Sequence, residues 1–561
     1  MLGGINDFGT VNIKDKQIQI DINGQELKGA GINVDGAKAS LTVVDGYYNR
    51  PEVAADYTIT NENKGSIKLT RSIDALNGAT VEWKSGVLKA TGKHTAIRAY
   101  GDLTGQTSIP STIHVYGGYV TGIEGCVGVL GRGATAEIKQ VQTYPILEAT
   151  DNAPVAGNGS YKDGDKRGGT SITIGKSTII GKITTPGYVA CGVYHPQSGT
   201  LTIEDGANIV AVGGAGIVMR GGKLDIKGGT ITATGDKDLT GYVGDNENAI
   251  PTSGIVYDHK AGYPDHANMS VQVTGGTITG AHSAVELIAD SGEKGTITLT
   301  GGTYSSDVSK FLSDEYHATL NQTTGKYTLS LYETKVTDKN GTDHYTSLAD
   351  ALSANNSVYT SRRTITLLTD ATLNDRVECY RGADEMKLDL DGHNIEMRNN
   401  AYIDHLFYGK LTLCDSQGTG RIYNTVGTSR TTQFLFSVGG EGKSTFIMDG
   451  GTIDVTDLDY AFEIVHSKDI TGYLQFTGGT VKNSKRNGNL FYLSGSDNSH
   501  VVITGGRFSE GVSSYISDGY TQVKDPDDGT LNTVTKIAMV ITYENSSTTS
   551  SIGSIGGVFP I

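Results

Sequence analysis

The chain has 561 residues, of which 77 are glycine, about twice the usual share, while the aliphatic, aromatic and cysteine class supplies only 37%. One ordinary wide globular core is excluded at that length, and an elongated repeat with a thin core is expected. A net charge of −15 without a lysine–arginine stripe excludes a nucleic-acid partner, and no run approaches the ~20 apolar residues that span a bilayer, so no membrane insertion is expected.

The first stretch, MLGGINDFGT, lacks the charged and apolar regions of a secretory signal. Two segments near it, DINGQELKG at 21–29 and ASLTVVDG at 39–46, return later as DLDGHNIEM at 389–397 and KLTLCDSQG at 410–418. The offset near 370 residues points to two copies of one larger unit. Four cysteines, Cys126, Cys191, Cys379 and Cys414, lie far apart and form no CxxC pair, so neither a zinc nor a redox motif is indicated. Arg98, Arg132, Arg220 and Arg507 are isolated in or beside strand-like segments, and nothing in the sequence places one beside an acidic cluster.

A shorter repeat begins at IKGGTITA and recurs as VTGGTITG, LTGGTYSS, MDGGTIDV, FTGGTVKN and ITGGRFSE, with first glycines Gly228, Gly275, Gly301, Gly450, Gly478 and Gly505. Two and four residues before that glycine every copy is apolar, as at Ile226 and Leu224 or Phe476 and Leu474; this is strand alternation. Three residues after it stands Ile231, Ile278, Tyr304, Ile453, Val481 or Phe508, so a second strand starts at once. A bend of one or two residues needs positive φ, which glycine supplies. Intervals of 26, 28 and 27 residues separate adjacent pairs, and the interval of 47 from Gly228 to Gly275 reads as two such units. A period of this size marks a solenoid or propeller, and three short strands per period favour the solenoid.

Between the first two octets, Asp236, Asp238, Asp245 and Glu247 form the densest acidic loop, a candidate calcium site; no other cofactor is expected. Asp and Asn are also ordinary turn residues. Tyr242, Tyr257 and Tyr263, in the 239–266 stretch, are candidates for stacking on a sugar or contacting a partner, against the alternative that they lie flat on a sheet face. A second acidic group, Asp454, Asp457, Asp459 and Glu463, follows the Gly450 corner and also reads as a solvated face. GxSxG, HExxH and the GGxGxDxUx calcium repeat are absent.

GGTYSSDVSKFLSDEYHATL at 301–320 and GGRFSEGVSSYISDGYTQV at 505–523 close the two copies alike, which sets block one at 1–330 and block two at 331–536. Block two opens with DHYTSLADALSANN, where Leu348, Ala351 and Leu352 share one face of a short helix near 346–354, N-capped by Thr346 or Ser347. That helix is expected to lie as a lid over the first coil. Block one has no such segment, since residue 21 already matches residue 389; either the chain is a fragment or another chain, a second copy or a neighbour, covers that end. Residues 537–561 read as one strand and a Ser/Thr/Gly-rich tail.

These readings give an all-β fold: a right-handed parallel β-helix (solenoid) in two consecutive blocks, with a short capping helix between them. About 20 coils at ~4.8 Å would make a rod of roughly 100 Å. Residues 21–46, 221–331 and 343–536 resemble the pectate-lyase-like right-handed parallel β-helix repeats of large surface, adhesin-type proteins of Gram-positive gut bacteria and of fibres of their phages. The resemblance implies a non-enzymatic, extracellular structural or adhesive role at a bacterial surface or on a virion, with a host-surface glycan or protein as partner. It leaves a polysaccharide-binding or polysaccharide-degrading β-helix, of lyase or tailspike-glycosidase type, as the alternative, and its motifs carry no catalytic signature.

Overall fold

The computed structural model describes residues 7–103, 109–157, 167–243, 248–263, 265–291, 295–354, 362–379, 384–405, 409–425, 433–439, 442–456, 458–467, 469–485, 488–495 and 498–537. The chain is all-β with long parallel-strand sheets, solenoid-like, and divides into two compact units, Met1–Ser330 and Leu331–Ile561. Among the described residues no helix is long and apolar enough to cross a membrane.

Each Gly-Gly corner joins two short strands, as in Ser270–Val273 to Thr277–Gly280 and Ile470–Phe476 to Thr480–Asn483. The two glycines do different work. The second one takes the left-handed backbone, with φ of 89° at Gly276, 97° at Gly302 and 77° at Gly479. The first one lies against the coil before it: a Cβ on Gly301 would stand 2.2 Å from the Thr274 carbonyl oxygen, and one on Gly478 2.4 Å from that of Asp449. The threonine ahead of the pair tightens the same contact, since Thr274, Thr477 and Thr504 donate their hydroxyls to the carbonyls of Ile226, Met448 and Phe476 at 3.2–3.3 Å.

In-register parallel pairing then stacks like on like. In a ten-stranded sheet of the first unit, Val43, Trp83, Val115, Ile138, Ile174 and Ile203 form one buried ladder, continued by Ile226, Val273 and Leu299. In the second unit Ile365, Leu388, Leu413, Met448, Phe476 and Ile503 form another. Each such side chain removed from water contributes about 1.5–3 kcal/mol, so a thin core suffices when every coil adds its own rung.

The 47-residue interval departs from the expected two coils. Lys223–Ile226 pairs directly with Ser270–Val273, and Thr230–Thr234 with Thr277–Gly280. It is therefore one coil that carries an excursion, within which Thr240–Gly241 and Ile250–Pro251 pair antiparallel and Ile255–Asp258 rejoins the ladder beside Gly214–Met219.

Antiparallel strands close three ends. Thr303–Tyr304 pairs antiparallel with Lys326–Leu331, Thr334–Asp338 with Arg362–Leu367, and Arg507–Phe508 with Asn532–Lys536. The helix Leu348–Ser353 adds cover at the start of the second unit, where Leu348, Ala351 and Leu352 enter the core. Ser347 is its N-cap, accepting the Asp350 N–H, and Arg363 donates to the carbonyls of Leu352 and Ala354 at the other end. At the start of the first unit, Phe8–Lys14 and Gln17–Asp21 pair parallel with the next coil, and an apolar cavity of about 440 Å³ opens among Phe8, Val11, Ile18, Ile20 and Leu27.

Candidate functional site

The five strands Val377–Glu378, Ile403–His405, Phe436–Val438, Phe462–Val465 and Phe491–Ser494 form one parallel sheet. Alternation splits it into two columns. Val377, Ile403, Phe436, Phe462 and Phe491 are buried, with the Phe436 and Phe462 rings stacked at 5.2 Å. The residue after each of them forms the second column, Glu378, Asp404, Ser437, Glu463 and Tyr492, in that register.

Arg376 organises the lower part of this column. Its Nε donates to Asp404 Oδ2 at 2.6 Å and its Nη2 to Glu378 Oε1 at 2.7 Å. Asp404 is 3% exposed, and its Oδ1 is buried with no hydrogen-bond partner. Burial raises the Asp404 carboxyl above the usual range, against the opposing pull of Arg376. Burial also raises Glu463, whose Oε2 accepts from the Ser437 hydroxyl at 3.2 Å.

Aromatic rings flank the carboxylates. Tyr402 and Phe434 meet edge to face at 5.1 Å, Tyr460 and Tyr492 lie at 5.0 Å, and the Arg376 guanidinium stands 5.9 Å from the Tyr402 ring. Tyr492 is 42% exposed. Carboxylates that accept hydroxyls, beside rings that present apolar faces with polar tips, suit a polyhydroxylated ligand.

The residues singled out from sequence fall elsewhere. Asp236 accepts the Asp238 N–H at 2.9 Å, and Asp238 pairs on the surface with Lys237, so both work as turn residues. Asp245 and Glu247 lie outside the described residues, as does Asp457. Among the described residues no group of three or more His, Cys, Asp or Glu side chains is placed to hold a metal. The second acidic group is divided: Asp454 faces Arg421, Asp459 pairs with Lys485, and only Glu463 joins the column.

Of the three tyrosines, Tyr242 is exposed, 6.4 Å edge-on to Tyr188. Tyr257 and Tyr263 are buried instead. They are 1% and 3% exposed and cannot form a stacking surface. Tyr257 is an inward residue of Ile255–Asp258, a strand within the stretch read as loop, and donates its hydroxyl to the Met269 carbonyl at 2.6 Å. Tyr263 accepts from the Tyr194 hydroxyl at 3.0 Å.

Three of the isolated arginines do meet carboxylates once the coils stack. Arg98 grips Asp74 with two 2.8 Å bonds, and Arg507 grips Asp525 with two of 2.6 Å. Arg220 and Asp258 form a fully buried pair at 2.7 Å, joined by Tyr194 and by Asn248. Arg132 and Asp102 exchange backbone hydrogen bonds at 3.1 Å. All four cysteines are free and buried, and burial pushes the thiols of Cys191 and Cys379 up to about 12, away from nucleophilic use.

No family model, curated protein or solved structure matches this chain.

Proposed function

We propose that this is a non-enzymatic, extracellular structural and adhesive protein, built of two consecutive right-handed parallel β-helical blocks, at a bacterial cell surface or on a virion. Its partner is a host-surface glycan, taken on the accessible members of the column, Glu378, Glu463 and Tyr492, with the flanking aromatics, over the buried Asp404 and Ser437. The observation that carries the reading is this column: acceptors and rings recur at the strand spacing of about 4.8 Å, a linear array suited to a linear ligand. A neighbouring chain covers the edge at Phe8–Lys14 and Gln17–Asp21, where Val11 and Ile18 are 41% and 38% exposed; sedimentation that finds monomer at every concentration removes that part.

One observation favours a second reading, polysaccharide cleavage. Asp404 and Glu463 stand two rungs apart, about 10 Å between backbones, both with raised proton affinity, and paired carboxyl groups near that separation serve glycoside hydrolysis. The Arg376 pairing of Asp404 weighs against it. Incubation of the protein with a glycan panel separates the two: retention without shortened products supports the adhesive role, and shortened products support the enzyme.

A further inference from the structure

Val11 and Ile18 occupy inward positions of the first coil, in register with Ile32 and Leu41 of the next. Those stacked neighbours are 3% and 0% exposed, whereas Val11 and Ile18 themselves are 41% and 38% exposed. Among the described residues no strand lies on their other side, since Phe8–Lys14 pairs only with Glu26–Asp35, and Gln17–Asp21 only with Ser40–Val44. The same side chains, with Phe8, Ile20 and Leu27, line the open apolar cavity of about 440 Å³. The other unit ends are built differently. Their closing rungs Tyr304, Val336 and Phe508 lie in or beside antiparallel closing strands and are 0% exposed.

An open strand edge of this kind holds unpaired backbone groups and core side chains ready for another chain. Its charges say which chain fits. Lys14, Asp15 and Lys16, between the two edge strands, are exposed and form no ion pair among the described residues. Asp7 and Asp21, at the outer ends of the same strands, are exposed as well. The edge thus carries both signs nearly in balance on a chain whose net charge is −15. Two copies repel over most of their surfaces but not here, where lysines of one can face aspartates of the other.

A surface that fits itself is joined about a two-fold axis, which sets a strand antiparallel to its own copy. We infer that two copies of this chain meet head to head at this edge, with Phe8–Lys14 of each antiparallel across the axis and the two apolar cavities closing into one core. This rests on the reading that a neighbouring chain covers the edge, and names that chain as a second copy. A head-to-tail arrangement would need an open coil at another end, and the covered rungs Tyr304 and Phe508 offer none. Each dimer carries two glycan columns, so weak single contacts add as avidity.

Sedimentation of the full chain over about a hundredfold range of concentration should show a monomer–dimer equilibrium. The double variant Val11→Lys/Ile18→Lys, which puts ammonium groups at two already exposed positions, should weaken dimerisation about tenfold or more with an unchanged circular dichroism spectrum. Because the four native cysteines are buried, an added surface cysteine is the site of reaction: Thr10→Cys should cross-link to itself through a short bis-maleimide, and Thr530→Cys, near a closed end, should not. Monomer at every concentration, or a dimer unchanged by the double variant, overturns the inference; the monomer also removes the covering chain from the proposed function and leaves the column untouched. Open-ended filaments, or cross-links between Thr10→Cys and Thr530→Cys in a mixed sample, overturn the head-to-head pairing while keeping a neighbouring chain at the edge, so the two failures are told apart.

Discussion

Replacing Gly478 by alanine tests the physical origin of the repeated corner. The added Cβ would lie 2.4 Å from the Asp449 carbonyl oxygen, a backbone atom that moves only if the two coils part. Parting them by the missing distance strains three bonds across the corner, Thr477 N–H and Gly478 N–H to the Met448 carbonyl, and Thr480 N–H to that of Gly451. At about 1 kcal/mol each, with overpacking of about 1–3 kcal/mol as the alternative outcome, Gly478→Ala should cost about 3 kcal/mol. Gly479→Ala is strained by its φ of 77° and would also press the Met448 methyl at 2.6 Å, a contact that a flexible side chain can yield, at an expected cost of about 1–2 kcal/mol. Gly511→Ala, whose Cβ would meet nothing nearer than Gln522 Nε2 at 3.8 Å, is the control and should stay within about 0.5 kcal/mol. Hydrogen exchange read on Gly442–Met448 and Ile470–Phe476 gives the local opening free energy. If Gly478→Ala protects these strands as well as Gly511→Ala does, the close-stacking explanation of the first glycine is wrong.

Two further outcomes follow from buried polar groups. His195 and His405 point into the two cores, and burial lowers both to about 4 from about 6.5. The unfolded chain therefore binds more protons between those values, so each histidine's contribution is complete above pH 6.5 and is lost as pH falls towards 4, by about 3 kcal/mol. Asp404 and Glu463, with raised carboxyls, act in the opposite sense at the acid end. In urea titrations at pH 7 and pH 5, His405→Leu should narrow the gap seen in the parent protein; an unchanged gap contradicts the assignment. Arg220→Met should destabilise by about 3–5 kcal/mol, because it leaves the buried Asp258 without its ion-pair partner, and adding Asp258→Leu should restore most of that loss. A double variant no more stable than the single one, by thermal melting, would show that the pair does not act as a unit.

The corners, the buried alternation and the lid helix were legible in the sequence because each is fixed by residues within one coil. Gly275 and Gly276, Val271 and Val273, or Ser347 and Leu348 are near neighbours in the chain, and local geometry decides them. Whatever depends on coil length was not legible. Arg98 meets Asp74 24 residues away and Arg220 meets Asp258 38 residues away, because inserts change the number of residues per turn. Tyr257 was read as part of a loop because the short strand Ile255–Asp258 lies inside the excursion and carries no Gly-Gly signal. The column of Glu378, Asp404, Glu463 and Tyr492 draws on several coils whose register only the stacked structure supplies.

The measurement that bears most directly on the proposed role is glycan-panel binding of the full chain against a Tyr460→Ala/Tyr492→Ala variant, with circular dichroism as the check on folding. Loss of the ring pair that lies at 5.0 Å beside Glu463 should weaken retention of a bound polysaccharide tenfold or more, about 1.4 kcal/mol, while leaving the spectrum unchanged. Equal retention by the parent protein and the variant, or no retention of any glycan by either, would contradict a glycan-contacting column.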